Sequence, residues 1–258
     1  PAPTGETGNP LTRRRIHFLD EVRGLDILLM VVFHAAYVAG WIFEWEWGRR
    51  FFLFFKPVEP FFSGIFIFIC GISCRLSRSN LKRGLMIGAC ALLISLTLWF
   101  FMPDQMIWFG ILHFLSAAVL LFALFRPLLD RISALPGLIA CALLLLLTWH
   151  MPVQKGGFFG IPGLFEWHTP SWIAACPWLY PLGLGKGTGA DYFPLLPWFF
   201  CLLAGSFAGR WAETERLPAW MYKRRAPFFT WVGKHTLPIY LFHQPVAYAL
   251  FALAAAVI

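Results

Sequence analysis

RGLDILLMVVFHAAYV, residues 23–38, decides how this chain is read. Apart from Arg23, Asp26 and His34 the stretch is apolar, and with the residues that follow it is long enough to enter a hydrocarbon core about 30 Å thick. An ionisable side chain at that depth is costly unless it is paired, faces the inside of a bundle or meets water. Arg23 and Asp26 stand three residues apart and can pair along the helix; with interfacial snorkelling, that pair would need no functional explanation. His34 is different. It lies eleven residues beyond Arg23, about 16 Å along a helix axis, near the membrane midplane, where a histidine is expected to face inward and to have a partner.

The rest of the chain has the same character. Of its 258 residues 59% are hydrophobic and only 13% charged, and the mean hydropathy is +0.67, a balance that a soluble domain with a polar surface does not need. Apolar runs between polar breaks predict helices near 25–43, 60–76, 84–101, 107–125, 135–150, 194–210 and 235–256. The expected fold class is therefore all-α, a polytopic membrane bundle of about seven transmembrane helices. Residues 1–15 (PAPTGETGNPLTRRR) are polar and lack the apolar core of a cleavable signal peptide, so they read as a loosely ordered tail and the first span as its own insertion signal. The transmembrane domain is expected to cover 16–258, with an outer loop at 151–193.

Charge gives the orientation. With the N-terminus in the cytoplasm and the C-terminus outside, sixteen of the 21 Lys and Arg residues fall on the inner side. Only Arg49, Arg50, Lys56, Lys155 and Lys186 fall outside, which is the positive-inside pattern. The net charge of +8 is then an orientation signal; the bilayer is the expected partner and no nucleic acid is. Five of the six cysteines lie in apolar runs and no CxxC motif occurs, so Cys70 and Cys74 read as helix packing. GKGTG at 185–189 lacks the strand and helix that would make it a nucleotide loop.

Several tryptophans gather at the outer helix ends, as an interfacial belt requires. The loop 151–193 is nonetheless longer than a helix connection needs, and it holds Trp167, Trp172, Trp178, Glu166, His168 and Asp191. Aromatic rings of this kind suit a ring-shaped ligand such as a sugar, or else a lid that packs on the helix ends. Two more histidines sit at depth, His113 in FGILHF and His243 in IYLFHQP. Singly each reads as bonded to a neighbouring carbonyl, whereas with His34 they suggest a shared polar cavity. No HExxH-like spacing occurs and Asp191 is the one well-placed carboxylate, so no metal is expected. Pro194, Pro197, Pro238 and Pro245 free backbone carbonyls beside this region, which a membrane tolerates where protein or water satisfies them.

The segments LDEVRGLDILLMVVFH (19–34), FSGIFIFICGIS (62–73), FGILHF (109–114), DYFPLLPWF (191–199) and WVGKHTLPIYLFHQP (231–245) together resemble, in order, the bacterial membrane proteins related to the catalytic domain of heparan-α-glucosaminide N-acetyltransferase. More distantly the chain is similar to the membrane acyltransferases that O-acetylate surface polysaccharides, with which Arg23 and His34 share an Arg, ten residues, His arrangement. The resemblance implies transfer of an acetyl or other acyl group from cytoplasmic acyl-CoA, as donor substrate, to a sugar amine or hydroxyl at the outer face. It also implies a bacterial inner-membrane setting and no metal or redox cofactor. The larger lysosomal relative places its proposed catalytic His in the loop after helix 1; the matching stretch here, AAYVAGWIFEWEWGRRFF (35–52), has none. The role of general base or transient acyl carrier is mapped onto His34 by the spacing shared with the more distant acyltransferases and by its depth, and the phosphates of CoA onto Arg23. His113, Asp191 and His243 are the further candidates for orienting base or acceptor. The rival expectation is a non-catalytic membrane subunit that uses the same fold as a scaffold, and self-association or membership of a larger membrane complex stays open.

Overall fold

The computed structural model describes residues 14–186 and 191–257; the expected N-terminal tail up to residue 13 and residues 187–189 of GKGTG lie outside them. Helix α1 (His17–Tyr37) runs on through a wider turn at Val38–Ile42. It is followed by α2 (Glu46–Phe55), α3 (Glu59–Leu76), α4 (Asn80–Phe101), α5 (Ile111–Leu129) and α6 (Ala134–Leu147). A hairpin of β1 (Phe158–Ile161) and β2 (Phe165–His168), in register Phe158 to His168, precedes the short α7 (Ser171–Ala174). Then come α8 (Leu195–Glu213), α9 (Pro227–Lys234) and α10 (Thr236–Val257).

Six of these helices, α1 with its extension, α3, α4, α5, α8 and α10, are long and apolar enough to cross a membrane. The protein is an all-α polytopic membrane bundle, as the patterning predicts. The seventh expected span is shorter than 135–150: α6 has 14 residues, about 21 Å. It ends at Thr148, which has φ −96 and ψ 2 and whose hydroxyl donates to the Leu144 carbonyl at 2.6 Å. Helix α2, like α7 and α9, is an element that the apolar runs miss. It lays Phe52 on Phe33 with ring centroids 4.5 Å apart, while Gly48 lets its backbone rest against Ala39 and Gly40.

Lipid is as apolar as leucine, so helices in a bilayer are held by close packing and polar contacts. The seam between α3 and α8 shows this. A Cβ on Gly71 would collide with the Leu202 carbonyl, and one on Gly205 with the Phe68 carbonyl. The same device joins α1 to α9, where Gly24 meets the Phe229 carbonyl and Gly233 meets the Asp20 carbonyl. Phe114, Phe122, Phe207, Ile67 and Leu202 fill the core. Leu85, Leu92, Leu96 and Phe100 of α4, with Phe242, Val246, Leu250 and Leu253 of α10, stay exposed, as side chains facing acyl chains should. One consequence positions the site: α1 and α3 run antiparallel, so that Arg23 near the start of α1 reaches Ser73 near the end of α3.

Candidate active site between helices α1, α3, α5 and α10

His34 and His243 meet. Nδ1 of His34 lies 2.8 Å from Nε2 of His243, with the rings nearly parallel at 22°. Nδ1 of His243 in turn lies 2.6 Å from the Tyr240 carbonyl oxygen. A carbonyl can only accept, so His243 Nδ1 carries a proton and donates it. In neutral His243, Nε2 is then a lone pair, and the bond between the rings requires His34 Nδ1 to be the donor. The chain of bonds thereby fixes the tautomer of His34 and leaves its Nε2 as a bare lone pair.

Asp191 anchors the opposite side. Its Oδ2 accepts from the Ile111 backbone N–H at 3.2 Å, at the first turn of α5, and from the Tyr240 hydroxyl at 3.4 Å. A carboxylate suits a helix N-terminus, where unpaired N–H groups carry partial positive charge. The Phe193 N–H donates to the Phe109 carbonyl at 3.1 Å and holds the loop in place. Burial nevertheless pushes the Asp191 carboxyl up to about 6, against the pull of the Ile111 N–H. Tyr240 thus links the two halves, with its hydroxyl on Asp191 and its carbonyl on His243.

Two cavities adjoin at this point. The larger, about 340 Å³, is lined by Arg23, Asp26, Ser73 and Arg83 toward one end of α1 and by His34 and Asp191 toward the other. The smaller, about 240 Å³, is lined by Tyr37, Lys56, Lys155, Trp198 and Gln244. His34, Glu59, Asp191, Phe33 and Phe193 belong to both walls. At the far end of the larger cavity two guanidiniums come together. Arg23 donates to Ser73 at 2.6 Å and lies 3.7 Å from Asp20. Arg83 has as its hydrogen-bond partners the sulfurs of Cys70, at 3.1 Å, and Cys74, at 3.9 Å, and no carboxylate lies within ion-pair distance of it among the described residues. In the smaller cavity the Lys155 ammonium stands 3.9 Å from the centre of the Trp149 ring and 5.6 Å from that of Trp198.

Of the residues singled out by the sequence, His34, His243 and Asp191 are brought into one region and Arg23 to the mouth of the same cavity. The fifth is not. His113 points to Ser95 Oγ at 3.2 Å and lines neither cavity. The expected pair of Arg23 with Asp26 does not form, because Arg23 turns to Ser73 and Asp20. Trp167, Trp172 and Trp178 are exposed, and the aromatic wall of the smaller cavity comes instead from Phe33, Phe52 and Trp198. Glu59, Arg83 and Tyr240 join the site although nothing in the sequence marks them. Glu59 holds Ser63 at 2.8 Å and Lys56 at 3.6 Å; it opens α3 and looks in sequence like an ordinary acidic first turn.

Over residues 15–245 the chain matches the family heparan-alpha-glucosaminide N-acetyltransferase, catalytic. No curated protein and no solved structure matches it. The matched span takes in Arg23, His34, Glu59, Arg83, Asp191, Tyr240 and His243, which is to say the whole of the site just described. The chain belongs to the family of heparan-alpha-glucosaminide N-acetyltransferase catalytic domains, and with its six apolar spans it is an integral membrane protein of acetyltransferase type.

Proposed function

We propose that the protein moves an acetyl or other acyl group from acyl-CoA, entering from the cytoplasmic end of the larger cavity, to an amine or hydroxyl held in the smaller one at the outer face. The observation that carries the reading is the tautomer lock on His34. A base must present a lone pair to the proton it removes, and His34 Nε2 is that lone pair where the two cavities adjoin. As the acceptor nitrogen or oxygen attacks the thioester carbonyl, His34 takes its proton. The imidazolium that forms keeps its Nδ1–H on His243. The bond to sulfur then breaks, and the CoA thiolate leaves with the proton that His34 Nε2 had taken, which restores the neutral base. Asp191 and Glu59 flank the base on the acceptor side.

The donor chemistry suits the other end. Arg23 and Arg83 bring two positive charges to this mouth, and of the two carboxyls beside them, Asp20 and Asp26, only Asp20 lies within ion-pair distance of either, a setting that can receive phosphates. The separation of about 16 Å between Arg23 and His34 is too large for both to touch one carbonyl and comparable to the reach of a pantetheine arm from phosphate to sulfur. A cavity of about 340 Å³ takes such an arm and leaves the nucleotide at the mouth. The setting we assign is the bacterial inner membrane.

The test is purified protein in detergent or liposomes, given acetyl-CoA and an amino-sugar acceptor, with free thiol and acetylated product both measured. Arg23→Ala should raise the KM for acetyl-CoA, whereas His34→Ala should leave CoA binding near wild type and abolish turnover. Wild-type protein that neither binds acetyl-CoA nor releases thiol would overturn the reading and favour a scaffold. Full activity in His34→Ala would remove His34 from its role.

A further inference from the structure

Asp26 is the odd residue of the larger cavity. It is 6% exposed, its Oδ1 is fully buried, and among the described residues neither oxygen has a hydrogen-bond or ion-pair partner. Such a carboxyl is destabilising where it stands. Arg23, its natural neighbour on α1, is engaged with Ser73 and Asp20, yet Asp26 lines the same cavity as Arg23 and His34. A polar group left unsatisfied in a site that is otherwise well bonded marks a place where a ligand completes the set.

Position on the helix says which part of a ligand. Asp26 lies three residues beyond Arg23 and eight before His34, about 4.5 Å from the one and about 12 Å from the other along the axis. Met30, between them, is also in the cavity wall. On the acyl-CoA reading, which this step rests on, phosphate sits at Arg23 and the thioester at His34. The part of the donor level with Asp26 is then the pantoyl segment next to the phosphates, which carries a secondary hydroxyl and an amide N–H. Both are donors, and a carboxylate only accepts. We infer that Asp26 is a donor-specificity residue, which accepts a hydrogen bond from the pantoyl hydroxyl or amide and so selects pantetheine thioesters over simple ones.

Three acetyl donors separate the possibilities: acetyl-CoA, acetylpantetheine, which keeps the pantoyl segment without the nucleotide, and S-acetyl-N-acetylcysteamine, which lacks both. In Asp26→Leu the KM for the first two should rise about 10- to 100-fold, the range for losing a hydrogen bond to a charged group. Turnover at saturation, and kcat/KM for S-acetyl-N-acetylcysteamine, should stay near wild type. Asp26→Asn, which keeps an acceptor oxygen, should recover most of the loss. The ligand-free Leu variant should melt at or above wild type, since an unpaired buried carboxyl has gone, while the shift in Tm that CoA produces should shrink. Asp26→Ala serves if the Leu variant does not fold. Equal loss on all three donors, or an unchanged KM for acetyl-CoA, would overturn the assignment. If the wild type turns over none of the three thioesters, it is the acyl-transfer reading itself that fails.

Discussion

Gly110→Ala is the sharpest perturbation of the site that leaves every polar residue in place. Gly110 has φ −86 and ψ −175, a conformation open to alanine, so any loss comes from the new methyl group. An added Cβ would stand 2.6 Å from Asp191 Oδ2 and 2.7 Å from Ile107 Cγ2. Non-bonded carbon and oxygen settle near 3.4 Å, so the carboxylate must retreat by roughly 0.8 Å. Its bonds to the Ile111 N–H at 3.2 Å and the Tyr240 hydroxyl at 3.4 Å are already long, and the retreat takes both out of range. Loss of a hydrogen bond to a charged group costs about 1.5–3 kcal/mol, which for a chain of this size lowers Tm by about 3–12 °C. A misplacement near 1 Å beside the base should also lower turnover by up to about 100-fold. Thermal melts and acetyl transfer are measured on Gly110→Ala, Asp191→Ser and the double variant. Removing the carboxylate leaves only the contact with Ile107 Cγ2, the end of a flexible side chain, so Gly110→Ala should cost clearly less in the Asp191→Ser background than in the wild type. Wild-type Tm and turnover in Gly110→Ala, or strictly additive effects in the double variant, would refute the reasoning.

Three further outcomes follow from the same geometry. His243→Ala releases the tautomer of His34 and should lower kcat by about 100-fold with little change in KM, read by steady-state kinetics on the variant and the wild type. Because the Asp191 carboxyl titrates near 6, activity should fall as the pH drops below about 6, and Asp191→Asn should flatten that acid limb. The effect on stability has the opposite sign: a carboxyl whose folded pKa is raised favours folding fully below about 4, and that contribution is lost as pH rises through about 6. A single cysteine placed at 160–178 of a Cys-less variant should react with an impermeant thiol reagent from outside intact cells; reaction only after lysis would reverse the orientation drawn from the Lys and Arg distribution.

Why some of this could be read in advance and some not is a matter of range. The spans α1, α3, α4, α5, α8 and α10 are visible because crossing hydrocarbon imposes a long apolar run on local sequence. Helix α2 is hidden because EWEWGRRFF mixes charges with aromatics over fewer residues than a span, and its helical face is decided by contacts with Phe33 and Ala39. In α6, Leu-rich sequence continues to Leu147 and the helix ends there, at Thr148 with φ −96 and ψ 2, where the apolar pattern alone runs on to 150. Arg23 and His34 stand out since both are ionisable within one apolar run. Their partners do not: His243 is 209 positions from His34, Asp191 reaches Ile111 across 80, and no local pattern encodes either meeting. Arg83 and Glu59 are lost among the charges that every helix end carries, and their inward placement depends on how α3 and α4 rotate in the bundle. His113 shows the converse, a residue with the right chemistry and depth that packing gives to Ser95.

The shared wall of the two cavities has an electrical consequence. On the proposed arrangement, with the larger cavity open to the cytoplasm and the smaller to the outer face, the roughly 30 Å of hydrocarbon that opposes the passage of charge elsewhere narrows to the layer that holds His34, Glu59 and Asp191. Where water or substrate fills both sides, the transmembrane voltage falls across that layer, and each 100 mV is worth about 2.3 kcal/mol for one elementary charge moved through it. A proton taken by His34 from the acceptor in one cavity and passed to the thiolate in the other would cross that field, so turnover in sealed vesicles would respond to membrane potential. On the same arrangement, replacing His34 by a small residue would open a path for ion leak between the two cavities.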